Sequence, residues 1–203
     1  MKIICIGKNY IEHNKEMQSE NPKNPVFFLK TDNCILRQNK PFYLPSFSSC
    51  IHHEVEIVVR ICRVGKHIDT EFANKYYEEI GIGLDLTARD LQNEAKKQGL
   101  PWEISKAFDF SAPLSDDFIP KANLDLGNLS FSLRKNGEIV QKGNTKDMIF
   151  NIDSIIAYVS RFMTLKIGDL IFTGTPSGVG PLAIGDELEA YIGNKSLLKM
   201  KVK

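Results

Sequence analysis

The run His52-His53-Glu54-Val55-Glu56-Ile57-Val58-Val59 sets two acids one residue apart inside a segment whose other residues favour a buried strand. Alternate side chains of a strand share a face, so Glu54 and Glu56 project to one side while Val55, Ile57 and Val59 take the other. Two like charges held that close on a half-buried surface repel and lose hydration, and the cost falls sharply when a cation lies between them. The pair is a candidate metal site. The competing expectation is an edge strand with both acids in water, since alternating acids are common on solvated strands.

A third acid bears on the choice. Asp85 interrupts the apolar stretch Ile80-Gly81-Ile82-Gly83-Leu84, where an unpaired carboxylate costs several kcal/mol, so it requires a salt-bridge partner or a metal. Arg89 is its obvious partner if the acids face solvent. If instead the three carboxylates share an ion, oxygen-only ligation favours Mg²⁺, Mn²⁺ or Ca²⁺ over zinc, and Mg²⁺ keeps waters that a chelating substrate can displace.

With 203 residues and no linker rich in proline, glycine or serine, one domain over 1–203 is the default expectation. The 26 basic and 25 acidic residues form no like-charge block, which excludes an electrostatic footprint for nucleic acid or an anionic membrane. The apolar run Ile3–Ile6 is too short for a signal-peptide core, and no segment approaches the roughly 20 apolar residues of a membrane span. Cys5, Cys34, Cys50 and Cys62 lack C-x-x-C spacing and are expected as buried thiols of a cytoplasmic protein. A Cys50–His53 nucleophile pair lacks a third, orienting group.

Along the chain, residues 2–6 suggest a strand, and Asn9 is placed to cap a helix from about Tyr10 to Met17. On that helix His13 and Glu16 are three apart, so the carboxylate can reach the imidazole and set its tautomer. An ordinary surface pair is the alternative. Residues 26–30 are strand-like and end in Lys30, and a charged helical segment is expected around 70–79. Thr87 and Asp90 match a capping box for a helix through about Lys97, stopped by Gly99 and Pro101, with Arg89 and Gln92 on one face. An arginine at that helix start can hold an anionic substrate group or merely neutralise Asp85 or Asp90. Lys106 lies in a segment expected to be extended, as a snorkelling surface chain or as a cation near the acids.

Asn136-Gly137 between two β-rich runs predicts a type I′ hairpin, and Ile155, Ile156, Val159 and Phe162 have the spacing of a core-facing helix capped by Asn151 or Asp153. The strand ending at Phe172 enters a glycine-rich loop without the G-K-[ST] ending of a phosphate-binding loop, so nucleotide binding is not expected. Its backbone N–H groups and the Thr175 hydroxyl can serve a carboxylate. The chain is expected to close with a hairpin over 187–202.

Taken in order, GKNYIEHNKEM, PVFFLK, HHEVEIVV, LDLTARDLQ, KKQGLPWEISKAFDFSAP and FTGTPSGVGP resemble the fumarylacetoacetate hydrolase family, in its small single-domain branch of acylpyruvate hydrolases and oxaloacetate decarboxylases. Thr31 departs from the proline that relatives commonly carry after the lysine of the FLK segment.

The resemblance implies a mainly β, α+β fold: a mixed β-sandwich roll of the fumarylacetoacetate hydrolase C-terminal type with a few short helices, usually a homodimer. It implies Mg²⁺ or Mn²⁺, with Ca²⁺ as a substitute, on Glu54, Glu56 and Asp85. Substrate-binding roles fall on Arg89, Gln92 and Thr175, and catalytic ones on Lys106 and on the His13–Glu16 pair of a lid helix near 10–17. The expected partner is a small 2-oxo acid. The expected reaction is hydrolysis of the C–C bond of acylpyruvates to pyruvate and a carboxylic acid. Oxaloacetate decarboxylation, or 2-oxo acid tautomerisation or isomerisation, is the alternative through the same enolate. A non-catalytic dicarboxylate-binding or metal-stabilised protein is the competing class; it predicts a closed metal shell and no use for the lid pair.

Overall fold

In a computed structural model describing residues 1–203, the strand Val55–Ile61 lies inside a six-stranded sheet, not at its edge. The sheet runs Val26–Lys30, Ile3–Gly7, Leu170–Phe172, Val55–Ile61, Tyr77–Leu84 and Ile119–Pro120 in spatial order. Ile3–Gly7 pairs parallel with Leu170–Phe172, and the other pairings are antiparallel, so the sheet is mixed.

Parity along Val55–Ile61 explains the placement of the acids. Val55, Ile57, Val59 and Ile61 enter the main core, while Val58, on the opposite face, joins a second cluster with Ile3, Cys5, Leu170 and Phe172. A strand covered on both faces needs a nearly continuous apolar run, which this segment has. Glu54 and Glu56 share the parity of Val58, and both are buried. The solvated edge strand is thereby excluded.

The main core fills the space against an antiparallel four-stranded sheet ordered Glu138–Asn144, Ser130–Lys135, Glu187–Ile192 and Lys195–Lys201. Leu133, Ala190 and Leu198 of this sheet join Ile57 and Ile82 of the other in one cluster. The two layers form the expected mixed, mainly β fold. The Asn136-Gly137 hairpin and the closing hairpin are both present, with positive φ at Asn136 and Gly137 as a type I′ turn requires. A small sheet of Gly180–Pro181, Ile51–His53 and Thr87–Ala88 joins the glycine-rich loop to both acid-bearing segments.

Several local expectations change. Asn9 does not cap the helix Ile11–Glu16, whose N-cap is Tyr10; the Asn9 amide bonds Phe150 and the Thr173 carbonyl, tying the helix start to the loop after Phe172. Thr87 and Asp90 form no capping box. Ala88 caps the helix Arg89–Gln98, Thr87 is drawn toward Asp85 and Lys106, and Asp90 accepts from Ser48 and Ser49; Gly99 ends that helix at φ 66° as expected. Lys106 ends a one-turn helix, Glu103–Lys106, instead of lying on extended chain. The segment expected as a helix over 70–79 is helical only to Tyr76, as an α turn, Thr70–Ala73, followed by a 3₁₀ turn, Asn74–Tyr76, and is strand from Tyr77. Asn151 caps the helix Ile152–Ser160 by accepting from Ser154 N, and Ile155, Ile156 and Val159 are buried, but Phe162 falls beyond its end and is exposed. Of the cysteines, Cys5 and Cys34 are buried, Cys50 is half-buried and Cys62 exposed. No helix is long and apolar enough to cross a membrane.

Candidate active site

Glu54 follows the short strand Ile51–His53, Glu56 lies on Val55–Ile61, and Asp85 leaves the adjacent strand Tyr77–Leu84, so strand pairing brings all three to one end of the sheet. One ligand oxygen from each lies within 4.8 Å of the others, and all three residues are buried. Above them opens a cavity of about 40 Å³, room for a few waters, whose wall includes Glu54, Glu56, Asp85, His13, Arg89, Gln92, Lys106 and Thr175. Of the nine residues singled out by the sequence, only Glu16 is outside that wall, and it contacts His13.

Fixed cations surround the acids unevenly. Arg89 Nη2 donates to Glu54 Oε1, and not to Asp85 or Asp90. Lys106 Nζ donates to Glu54 Oε2 at 2.7 Å, Asp85 Oδ2 at 2.6 Å and Thr87 Oγ1 at 2.6 Å, so the ammonium spends all its donors on the protein. Burial alone would raise the Glu54 carboxyl, but Lys106 and Arg89 hold it far below its ordinary range. Burial opposes the charge on Lys106, and Asp85 and Glu54 more than restore it, leaving its ammonium harder to deprotonate than a free lysine.

Glu56 is the exception. Its only polar partner is Gly174 N, 2.7 Å from Oε2, and burial together with the neighbouring Asp85 charge pushes its carboxyl well above the usual range. Gly174 stands at φ 102°, and a Cβ there would lie 2.7 Å from that of Asn9, so the close approach of its N–H to Glu56 requires glycine. Asp85 Oδ1 is a buried acceptor with no aligned donor, although Lys30 Nζ lies 2.9 Å away. A buried acid without a counter-ion, beside a carboxylate oxygen that has an ion-pair contact but no aligned hydrogen bond, is what a divalent cation would satisfy. The donor set is all oxygen, which fits Mg²⁺ or Mn²⁺.

Sequence reasoning assigned no role to Lys30. Its side chain is fully buried, and Nζ contacts Asp85 Oδ1, the carbonyls of Leu86 and Ser111, the Ser111 hydroxyl and the Lys106 carbonyl. It thus supports both the third acid and the turn carrying Lys106. The available signal was a lysine ending an otherwise apolar strand, Val26–Lys30.

The helix Ile11–Glu16 lies over the cavity. His13 is buried against it, and Nδ1 is 3.4 Å from Glu16 Oε2, an ion-pair contact without a well-aligned hydrogen bond. Burial lowers the imidazole's affinity for a proton, and the Glu54 and Glu16 charges only partly offset this. Glu16 in turn accepts from Gly178 N at 3.1 Å, anchoring the helix to the glycine-rich loop that carries Thr175. Arg89 Nη1 donates to Gln92 Oε1 at 2.5 Å, which leaves the Gln92 NH₂ for the cavity, and Arg89 Nε has no partner. His52 and His53 flank the acids without entering the cavity.

A profile described as fumarylacetoacetate (FAA) hydrolase C-terminal matches residues 2–203. The chain is 46% identical over 198 residues to Oxaloacetate tautomerase YcgM of Escherichia coli (strain K12), covering 97% of this chain and 90% of that protein. It is 43% identical over 202 residues to the mitochondrial Oxaloacetate tautomerase FAHD1 of Bos taurus, with coverage of 99% and 91%. Among solved structures, fumarylpyruvate hydrolase from Pseudomonas aeruginosa in complex with Mn²⁺ and pyruvate superposes with a TM-score of 0.94 at 33% identity, covering 100% of this chain and 89% of that one.

Proposed function

The chain belongs to the fumarylacetoacetate hydrolase family of metal-dependent enzymes, and from that premise we propose that it interconverts the enol and keto forms of oxaloacetate. One observation carries the reading: three buried carboxylates converge within 4.8 Å, and Lys30, Lys106 and Arg89 pair with Glu54 and Asp85 but leave Glu56 without a cation of its own. A divalent cation then leaves the site, whose wall also carries Lys8 and Lys96, net positive and suited to a dianion with a chelating 2-oxo acid end. Oxaloacetate is such a dianion, and the relatives named for it are more similar in sequence than the hydrolase that superposes on the chain.

Mg²⁺ or Mn²⁺ held by Glu54, Glu56 and Asp85 would supply Lewis-acid stabilisation of negative charge on the 2-oxo oxygen. The chain's own residues do the rest. Arg89 and the Thr175 hydroxyl receive the carboxylate end, and the free Gln92 NH₂ donates to an oxo group. With Nδ1 lying 3.4 Å from Glu16 Oε2, neutral His13 presents Nε2 as a base. It takes a proton from C3, the C3–H electron pair becomes the C2–C3 double bond, and the 2-oxo oxygen gains the charge and then a proton. The reverse sequence returns the keto form. Lys106 holds Glu54, Asp85 and Thr87 together rather than the substrate, because its donors are taken.

Acylpyruvate hydrolysis is the second reading, favoured by the buried His13–Glu16 pair, which is equally placed to activate water for attack on a distal carbonyl. The test mixes the Mg²⁺-loaded protein with enol oxaloacetate and follows the enol absorbance alongside pyruvate release, with acetylpyruvate in parallel. The expected result is metal-dependent loss of enol without pyruvate, reduced about 10²–10⁴-fold by His13→Ala. Pyruvate from oxaloacetate would mean decarboxylation, pyruvate from acetylpyruvate at higher kcat/KM would mean hydrolysis, and unchanged turnover in His13→Ala would remove the base.

A further inference from the structure

Gln141 has no part in the chemistry above, yet it sits 1% exposed between the acid segment and the glycine-rich loop. It lies on Glu138–Asn144, where Leu133 pairs with Gln141 but Arg134 pairs with Ile139, so Val140 is an extra residue, a bulge that re-aims the strand. The Val140 carbonyl is only 2.3 Å from where a Cβ on Gly178 would stand, so bulge and loop are pressed together.

Every hydrogen bond the Gln141 amide can make is made. Oε1 accepts from Val55 N at 3.0 Å and contacts His53 Nδ1 at 2.9 Å; Nε2 donates to Thr175 Oγ1 at 2.9 Å and to the Pro176 carbonyl at 3.0 Å. The orientation is forced, because a backbone N–H can only donate and a carbonyl can only accept. Two polarities follow. His53 Nδ1 must carry its proton, and Thr175 Oγ1 must act as an acceptor toward Gln141, which frees the threonine's own proton for the cavity it lines.

We propose that Gln141 is a positioning residue that makes Thr175 a hydrogen-bond donor to the substrate carboxylate while pinning the backbone between Glu54 and Glu56. The inference rests on the reading of Thr175 as a carboxylate-binding group. A single amide thereby sets the metal-side backbone, the polarity of the substrate contact and, through Pro176, the loop whose Gly178 N–H holds Glu16.

The test reads binding of oxalate, a planar two-carboxylate mimic, to the Mg²⁺-loaded protein by calorimetry, so that it stands apart from whichever reaction the enzyme runs. Gln141→Glu keeps the contacts to Val55 and His53, gives up the donation to the Pro176 carbonyl, and turns the Thr175 proton back onto itself. It should weaken oxalate about tenfold, as should Thr175→Val, and in the Thr175→Val background it should add less than about twofold. Thr175→Ser, which retains the hydroxyl, should restore most of the affinity. Equal losses from Gln141→Glu with and without the threonine hydroxyl, or no loss at all, would overturn the proposal. A second measurement leaves Gln141 intact and covers failure of its variant to fold: in protein labelled with ¹⁵N-glutamine, Thr175→Val should shift one Gln141 side-chain N–H resonance and spare the other. An unperturbed pair of resonances would equally overturn it.

Discussion

The chain contains the pattern Glu-x-Glu in a strand twice, and the two copies have opposite fates. Glu187-Leu188-Glu189 opens a strand of the four-stranded sheet, where Glu187 meets Lys201 at 2.6 Å and Glu189 meets Lys199 at 2.9 Å on the solvated face. Glu54-Val55-Glu56 is buried among Arg89, Lys106 and Lys30. What separates them is the residues that follow. Ala190-Tyr191-Ile192 continues an alternation that wets one face, whereas Ile57-Val58-Val59 is apolar on both, so the sheet that accepts it must cover both and take the acids inside. Surface pairs of the first kind contribute little, while buried charges of the second kind are tolerated only when matched.

The largest effect is expected from Lys30→Met. Removing one partner of a buried pair leaves Asp85 poorly compensated, so urea unfolding in the presence of a chelator should show a loss of about 3–5 kcal/mol. A loss below about 1 kcal/mol would place Lys30 with the surface pairs.

Glu56→Gln should act in the opposite sense on stability. It keeps an acceptor for Gly174 N and removes the repulsion with Asp85, so the metal-free protein should melt no lower than the parent. Mg²⁺-dependent stabilisation and kcat/KM should nevertheless fall on the order of 100-fold or more. Undiminished Mg²⁺ stabilisation would remove Glu56 from the ion's shell.

Acid should separate the regions further. Burial lowers His13, and burial with Arg89 lowers His52 from 6.5 to about 4. Because the folded values lie below the unfolded one, the unfolded chain binds more protons as pH falls through 6.5, and stability is lost from there down to about pH 4 for His52. The melting temperature should decline over that window, and His52→Gln should flatten the decline; an identical profile would deny the histidine any part in it.

The smallest effect is expected on the solvated face. Glu187→Gln and Glu189→Gln should each shift Tm by no more than about 2–4 °C and leave kcat/KM unchanged. A larger shift would mean that the hairpin's charge ladder is more than a surface feature.

Much of the site was legible because its chemistry is expensive. Acids in apolar runs, as at Glu54, Glu56 and Asp85, demand partners wherever the chain folds, and the spacing of His13 from Glu16 and of Arg89 from Gln92 puts each pair on one helical face. Lys30 and Gln141 were harder to see. A lysine ending a strand and a glutamine inside one are usually at the surface, and nothing local says that Ser111 and Leu86 carbonyls surround the first or that a bulge at Val140 turns the second inward. The cap residues misled for a related reason. Asn9, Thr87 and Asp90 have the right chemistry for helix starts, but Thr173, Lys106 and Ser48 compete for the same side chains from far along the chain.

Read along the chain, the residues fixed the two hairpins, the strand character of Val55–Ile61, which of its faces carries the acids, and that those acids must find positive charge. Only the tertiary structure decided which cations answer them: Arg89 and Lys106 for Glu54, Lys30 and Lys106 for Asp85, and none for Glu56. The reason is that periodicity is a property of neighbouring residues, whereas the matching of charge in a low-dielectric interior depends on a few ångströms between segments that the fold alone brings together.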